Sequence, residues 1–414
     1  MMTSLGKLLD AIPAAADETA GKDDYFEQFG LVRNPFPPSR TIIPELLYDQ
    51  EEAQQRFASL VRAVLDPIPQ RRAAGILGGT GGGKTHLLRH CQHEFAEFCR
   101  KHERWFVAVE FQAGSGSMQA LVKELFNAAD MLCREDLGEF DFITAIIKCL
   151  RENRIILEMI RQDDLRSALG HLLDANEPTF VPLDRDRQYT FDRLREIFKR
   201  WLSGGTLSMT ERKYLGVFGR ISTGAMAVRV CREMFHLARK GGLFEGVLLC
   251  LDEMETLFTG GLRFGRVQGF LQDLRYFYDE AVKSNEGYSL LILSASTPEG
   301  ATNLREYNYP LYQRLGFEGD SRIELKPIRG VEDATQFAYA YIDYAHQDWS
   351  RKRKTQSSKD SKEIVFTRDI EAAFNATTSR EGGRAQVGTV TVNQAPLLEQ
   401  LHLIVEQNKR AQKR

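Results

Sequence analysis

Hydrophobic residues along this chain follow two rhythms. In four short runs nearly every position is apolar: Ala73-Ala74-Gly75-Ile76-Leu77, Trp105-Phe106-Val107-Ala108-Val109-Glu110-Phe111, Gly246-Val247-Leu248-Leu249-Cys250-Leu251 and Ser289-Leu290-Leu291-Ile292-Leu293. A strand covered on both faces reads this way, because neither set of alternating side chains meets water. Arg322-Ile323-Glu324-Leu325 adds a last, shorter core strand. Elsewhere apolar residues recur every three or four positions, the spacing of one helix face. Phe57, Leu60, Val61 and Val64 predict a helix over 51–65, and further helices are predicted up to about 101 and over 118–131. Strands alternating with helices predict an α/β fold with a doubly wound parallel sheet.

Between the second and third runs the helical spacing continues from about 133 to 240, as in Ile143, Ile146, Ile147 and Leu150, and again in Phe191, Leu194, Ile197, Phe198 and Trp201. Breaks fall at Asn176-Glu177-Pro178, Pro182 and Ser203-Gly204-Gly205. This predicts a long helical insertion in a core spanning 45–328. Its expected use is binding a partner or another subunit, or it is a structural bulge. Charges of both signs alternate through it, so it offers no patch of one sign. Residues 1–44 begin with a weakly periodic arm and continue into an aromatic and proline-rich segment at 25–38. Proline removes donors and restrains its predecessor, so this segment is expected to lie across a surface, either covering a nucleotide base or simply packing. Residues 329–414 predict a smaller, mainly helical lid ending in a basic tail, with a β-rich stretch at 387–392 and a helix over 397–405. No winged-helix DNA reader is expected there.

Composition removes several alternatives. A formal net charge of −2 is too even for a surface that grips nucleic acid throughout, which leaves local patches or a multi-subunit arrangement. One dense basic run exists, with Arg351, Lys352, Arg353, Lys354, Lys359 and Lys362 among hydroxyl residues. It is expected to be a flexible loop, either solvated or touching a phosphate backbone without reading sequence. The six cysteines form no C-x-x-C pair, as expected of reduced thiols rather than a zinc site or a disulfide framework. With no leader pattern and no run of 18 apolar residues, a cytoplasmic protein without membrane contact is expected.

The first apolar run leads into Gly78-Gly79-Thr80-Gly81-Gly82-Gly83-Lys84-Thr85, which fits G-x-x-x-x-G-K-[ST] between a strand and a helix. The glycines let backbone N–H groups turn inward around phosphates. Lys84 is placed to charge-pair the terminal phosphates and the Thr85 hydroxyl to ligate Mg²⁺. His86, next in line, is counted with the nucleotide-contacting residues; with His90 and His93 it shares a helix face that reads as ordinary surface more readily than as a metal site. The third run ends in Asp252-Glu253. Asp252 is placed to hold the Mg²⁺ hydration shell, and Glu253 to orient and deprotonate an attacking water. The paired carboxylate favours hydrolysis over phosphoryl transfer to a metabolite. Ser296 and Thr297, after the fourth run, are candidates to touch the γ-phosphate or the water. Arg314, closing a short aromatic helix, is a candidate arginine finger for a neighbouring subunit, with a surface salt bridge as the plain reading. No guanine-reading motif follows the carboxylate strand, so ATP is expected rather than GTP.

These residues resemble the AAA+ ATPases: the phosphate loop as Walker A, residues 248–253 as Walker B, Ser294 to Thr297 as sensor 1 and Arg314 as the finger. The resemblance implies a P-loop AAA+ core with a lid, and it suggests Arg384 in Gly382-Gly383-Arg384 as sensor 2. Within the superfamily the chain looks most like the initiator-related group, which includes origin-recognition ATPases and TnsC-type transposon regulators. Four segments are similar to the small ATPases of bacteriophage-exclusion (BREX) defence systems: Gly83-Lys84-Thr85-His86-Leu87-Leu88-Arg89, Leu251-Asp252-Glu253-Met254-Glu255-Thr256-Leu257, Leu274-Arg275-Tyr276-Phe277-Tyr278-Asp279, and Ala295-Ser296-Thr297-Pro298 with Pro310-Leu311-Tyr312-Gln313-Arg314-Leu315. One departure is the hydroxyl residue at sensor 1, where asparagine is common. The resemblance implies an ATP- and Mg²⁺-dependent homo-oligomer, a ring or filament, acting on or beside DNA with other defence or transposition proteins. A remodelling or scaffold ATPase that grips a protein partner through the insertion is the alternative.

Overall fold

The computed structural model describes residues 24–38, 41–175, 190–283, 286–352, 357–380 and 391–412. The chain forms two compact units, one of Ile42–Lys326 and one that joins Met1–Thr41 to Pro327–Arg414.

The larger unit is built on the predicted strands: β1 (Arg71–Leu77), β2 (Phe106–Gln112), β3 (Gly246–Asp252), β4 (Ser289–Ser296) and β5 (Arg322–Glu324). They form one sheet in the order β2-β3-β4-β1-β5, every neighbour parallel. Side chains alternate between its faces. Leu248, Cys250, Leu291 and Leu293 meet helices α1 (Glu51–Val64) and α2 (Lys84–Lys101) in one apolar cluster. Leu249, Leu251, Leu290 and Ile292 belong to a larger cluster with α3 (Met118–Glu135) and the insertion helices. Every residue of β3 and β4 is buried, the reason these strands read as unbroken apolar runs.

The insertion carries α4 (Phe142–Glu152), α5 (Asp163–Ala175), α6 (Phe191–Leu202), α7 (Met209–Leu215) and α8 (Gly224–Lys240). Its apolar faces continue the larger cluster, with Ile146, Leu169, Phe198 and Phe235 fully enclosed. A buried ionic knot fixes its entry. Asp141 caps α4 by accepting the Thr144 N–H at 2.7 Å, and its other oxygen lies 3.0 Å from Lys199 Nζ and 3.3 Å from Arg195 Nε on α6. Burial raises the Asp141 pKa, but the Thr144 and Lys199 interactions outweigh it and hold the carboxyl below its ordinary value. Beyond the insertion run α9 (Phe264–Ala281), α10 (Pro298–Tyr307) and α11 (Tyr309–Arg314). All six cysteines are free and five are buried; burial pushes the Cys99 thiol to about 12.

The smaller unit contains β6 (Ile328–Arg329) paired antiparallel with β7 (Thr391–Val392), and helices α12 (Gly330–Lys352), α13 (Thr367–Arg380) and α14 (Gln394–Gln412). The aromatic and proline-rich segment packs into this unit through buried Phe26, Phe29, Leu31 and Phe36. Asn34 donates to the His402 carbonyl at 3.2 Å and to Glu406 at 3.1 Å. In the basic run, Arg351 and Lys352 finish α12 and Lys362 falls in a short 3-10 turn. Arg353 and Lys354 lie outside the described residues.

Candidate functional site

All five strands run the same way, so their C-terminal ends share one edge. Register pairs Leu77 with Ser296 and Gln112 with Asp252, so the loops after β1, β3 and β4 emerge level. That edge of a parallel sheet is where open α/β folds bind ligands.

The loop after β1 turns on Gly81 and Gly83, whose φ angles of 73° and 92° are left-handed. A side chain there would be strained. Gly78 N–H approaches the Ser296 carbonyl at 3.4 Å and Gly82 N–H the Gly79 carbonyl at 3.0 Å, with Thr80 at the turn between them. Gly83 stands at the N-cap of α2 without a side-chain cap, so the first N–H groups of an 18-residue helix are available to an anion. Lys84 curls back over the loop. It is 9% exposed, donates to the Gly78 and Gly79 carbonyls at 3.1 and 3.2 Å, and lies 3.6 Å from Glu255.

Thr85 and Asp252 meet directly, Thr85 Oγ1 donating to Asp252 Oδ2 at 2.6 Å. Asp252 is 2% exposed and its other oxygen accepts the Glu253 N–H at 2.8 Å. A hydroxyl and a buried carboxylate in contact fit Mg²⁺, which takes few protein oxygens and completes its shell with water and phosphate. Among the described residues no group of three His, Cys, Asp or Glu side chains is placed to hold a metal by itself. Glu253 follows with φ of 53°, a rare value for a residue with a side chain. Thr256 fixes this turn by donating its N–H and hydroxyl to the Glu253 carbonyl at 3.0 and 2.7 Å. The Glu253 side chain is left exposed.

The other predicted residues fall less simply. Ser296 reaches this edge, but its hydroxyl is fully buried. Thr297 caps α10 by accepting the Gly300 N–H at 3.1 Å. His86 faces the segment before α1, its Nε2 2.9 Å from the Ile43 carbonyl, while His90 contacts the Pro44 carbonyl at 2.6 Å. Burial pushes the His86 pKa below its ordinary value despite the raising effect of that carbonyl. Arg314 lies toward the opposite edge. Its Nε donates to Asp279 at 2.7 Å, and Asp279 also neighbours Arg71 at the start of β1. Six residue steps along β1 separate Arg71 from Leu77, about 20 Å at strand rise, so Arg314 is not part of its own chain's phosphate loop. Arg384 lies outside the described residues.

No family model and no curated protein matches the chain. Among solved structures, similar ones are ORC2 of Aeropyrum pernix in its ADPNP–ADP complexes, ORC1 of the same organism in complex with DNA, and Cdc6p of Pyrobaculum aerophilum. ORC2 is 11% identical, over 91% of this chain and 72% of its own, with a TM-score of 0.43. ORC1 is 13% identical over 93% and 65%, at 0.39, and Cdc6p is 12% identical over 93% and 100%, at 0.33. Likeness at that level assigns neither a family nor a ligand.

Two acidic residues at this edge escaped the motif reading. Glu110 on β2 holds Arg89 of α2 in a two-point pair at 2.9 and 3.0 Å, which raises the Arg89 pKa above its ordinary value. Glu255 touches both Lys84 and the Thr297 N–H, the latter at 3.2 Å. Its signal was the third acid in Asp252-Glu253-Met254-Glu255.

Proposed function

We propose that this chain is an AAA+-type ATPase: a switch or motor that assembles with copies of itself into a ring or filament and acts on or beside DNA, in phage defence or a mobile genetic element. The observation that carries the ATPase reading is the 2.6 Å contact of Thr85 with Asp252, made next to the glycine loop that carries Lys84. In this reading the phosphates of ATP lie on the N–H groups of the loop and of α2, with Lys84 against the terminal ones. Thr85 and Asp252 hold Mg²⁺, which supplies charge neutralisation on the phosphates. Glu253 accepts the proton of the attacking water, and its exposed carboxylate on a turn fixed by Thr256 suits that task.

Assembly rests on Arg314. Arg314 is half-exposed and remote from its own loop, as an arginine finger for a second copy must be. The DNA part rests on the basic run from Arg351 to Lys362 and on the family resemblance. A second reading has an observation of its own: Met209 and Phe218 in the insertion are 83% and 89% exposed, a chemistry suited to docking a protein. Phosphate release from ATP by the purified chain, measured with and without duplex DNA over a salt series, tests the proposal. DNA affinity that falls with salt, and falls further when residues 351–362 are deleted, supports the DNA reading. ATP turnover with no DNA affinity supports the protein-partner reading instead.

A further inference from the structure

Glu255 binds the lysine that the phosphate loop keeps for phosphate. Its Oε1 is 3.6 Å from Lys84 Nζ, with side chains only 21% and 10% exposed. An ion pair this shielded is screened less by salt and water than one on the surface. The other oxygen, Oε2, accepts the Thr297 N–H at 3.2 Å. One carboxylate therefore joins the lysine of the glycine loop to the N-cap residue of α10.

Backbone packing makes that joint tight. A Cβ added at Gly300 would stand 2.6 Å from Glu255 Cβ and 2.9 Å from its Cα, so the first turn of α10 rests directly on residue 255. Thr297 caps α10. At the far end of α10, Asn308 caps α11 by accepting the Leu311 N–H at 3.1 Å, and α11 closes with Arg314. Glu255 therefore touches the start of α10, the first of two consecutive helices, α10 and α11, that end at Arg314.

Terminal phosphates carry the same sign of charge as Glu255 and compete with it for one ammonium. Taking residues 78–85 as an ATP site, as proposed above, we infer that Glu255 is a positioning residue: it competes with the phosphates of ATP for Lys84, and its displacement reports nucleotide occupancy to α10 and α11 through the Thr297 N–H. Its charge subtracts from nucleotide affinity. Neutralising it strengthens binding, whereas damage to a merely structural contact weakens it.

Equilibrium titration with ATP and Mg²⁺ on the full chain, paired with hydrogen exchange of the peptide covering 296–304, tests this in wild type, Glu255→Gln and Glu255→Ala. Glu255→Gln is expected to bind ATP about fivefold more tightly than wild type. ATP is expected to speed exchange at Thr297 in wild type, while Glu255→Ala exchanges there quickly with or without ATP. Equal or weaker ATP binding by both variants, with wild-type binding intact, overturns the inference and leaves the ATP site standing. A wild-type chain that binds no ATP overturns the ATP reading itself, and this inference with it.

Discussion

Thr85 and Asp252 are 167 positions apart in the chain and 2.6 Å apart in space. Each is ordinary alone; together, in the ATPase reading, they would hold Mg²⁺ beside the glycine loop. Asp252→Asn keeps the shape of the side chain and removes its charge. It is expected to raise the Mg²⁺ concentration for half-maximal ATP turnover by roughly ten- to a hundredfold, measured by titrating Mg²⁺ at fixed ATP. Lys84→Ala is expected to abolish ATP binding, measured by equilibrium titration with ATP, since the ammonium is the one charged side chain in residues 78–85. The loop residues and Asp252 were legible in the sequence because their chemistry is tied to local spacing. The contacts of Glu255 were not, because they depend on where the ends of β1, β3 and β4 stand beside one another. Spacing along one strand carries nothing about that. His86 illustrates the same limit: its partner, the Ile43 carbonyl, comes from a segment whose path no motif marks.

At the scale of elements, strands announced themselves through unbroken apolar runs, and helices through three- and four-residue spacing. Their order in the sheet did not. The sequence order of the strands becomes β2-β3-β4-β1-β5 in space, and this inserts β4 between the phosphate-loop strand and the carboxylate strand. The insertion was legible as helical, but not the ionic knot at its entry, since Asp141 reads as one more helix cap. That knot yields a stability prediction. Asp141→Asn leaves Lys199 and Arg195 facing a neutral amide, but Lys199 keeps Asp130 at 3.2 Å and Arg195 keeps Asp192 at 3.2 Å, so the expected cost is about 1–2 kcal/mol at pH 7. The Asp141 pKa is depressed in the folded state, so its contribution is present above pH ~4 and is lost as pH falls through the folded-state value. Urea midpoints of wild type and variant are therefore expected to differ at pH 7 and to converge as the pH falls through the folded-state value.

At the scale of the molecule, the segments 24–38 and 391–412, far apart in sequence, belong to one unit. Asn34 and His402 are 368 positions apart and hydrogen-bonded, a contact no local pattern foretells. The larger question is whether one chain suffices for catalysis. Arg314 is paired with Asp279 and stands about 20 Å of strand away from its own phosphate loop. If it serves a neighbour's nucleotide, Arg314→Ala and Lys84→Ala are each inactive alone, yet a mixture recovers part of the turnover, because some interfaces join an intact loop to an intact arginine. No recovery on mixing, or full activity of Arg314→Ala alone, assigns Arg314 to its pairing with Asp279.

The central claim is that the loop at residues 78–85 and the carboxylates at 252 and 253 form one ATP-hydrolysing site. Single-turnover phosphate release from pre-bound ATP, compared between wild type and Glu253→Gln, tests it most directly. The account predicts that the variant binds ATP as tightly as wild type and releases phosphate at least a hundredfold more slowly. Equal release rates from the two proteins would contradict it.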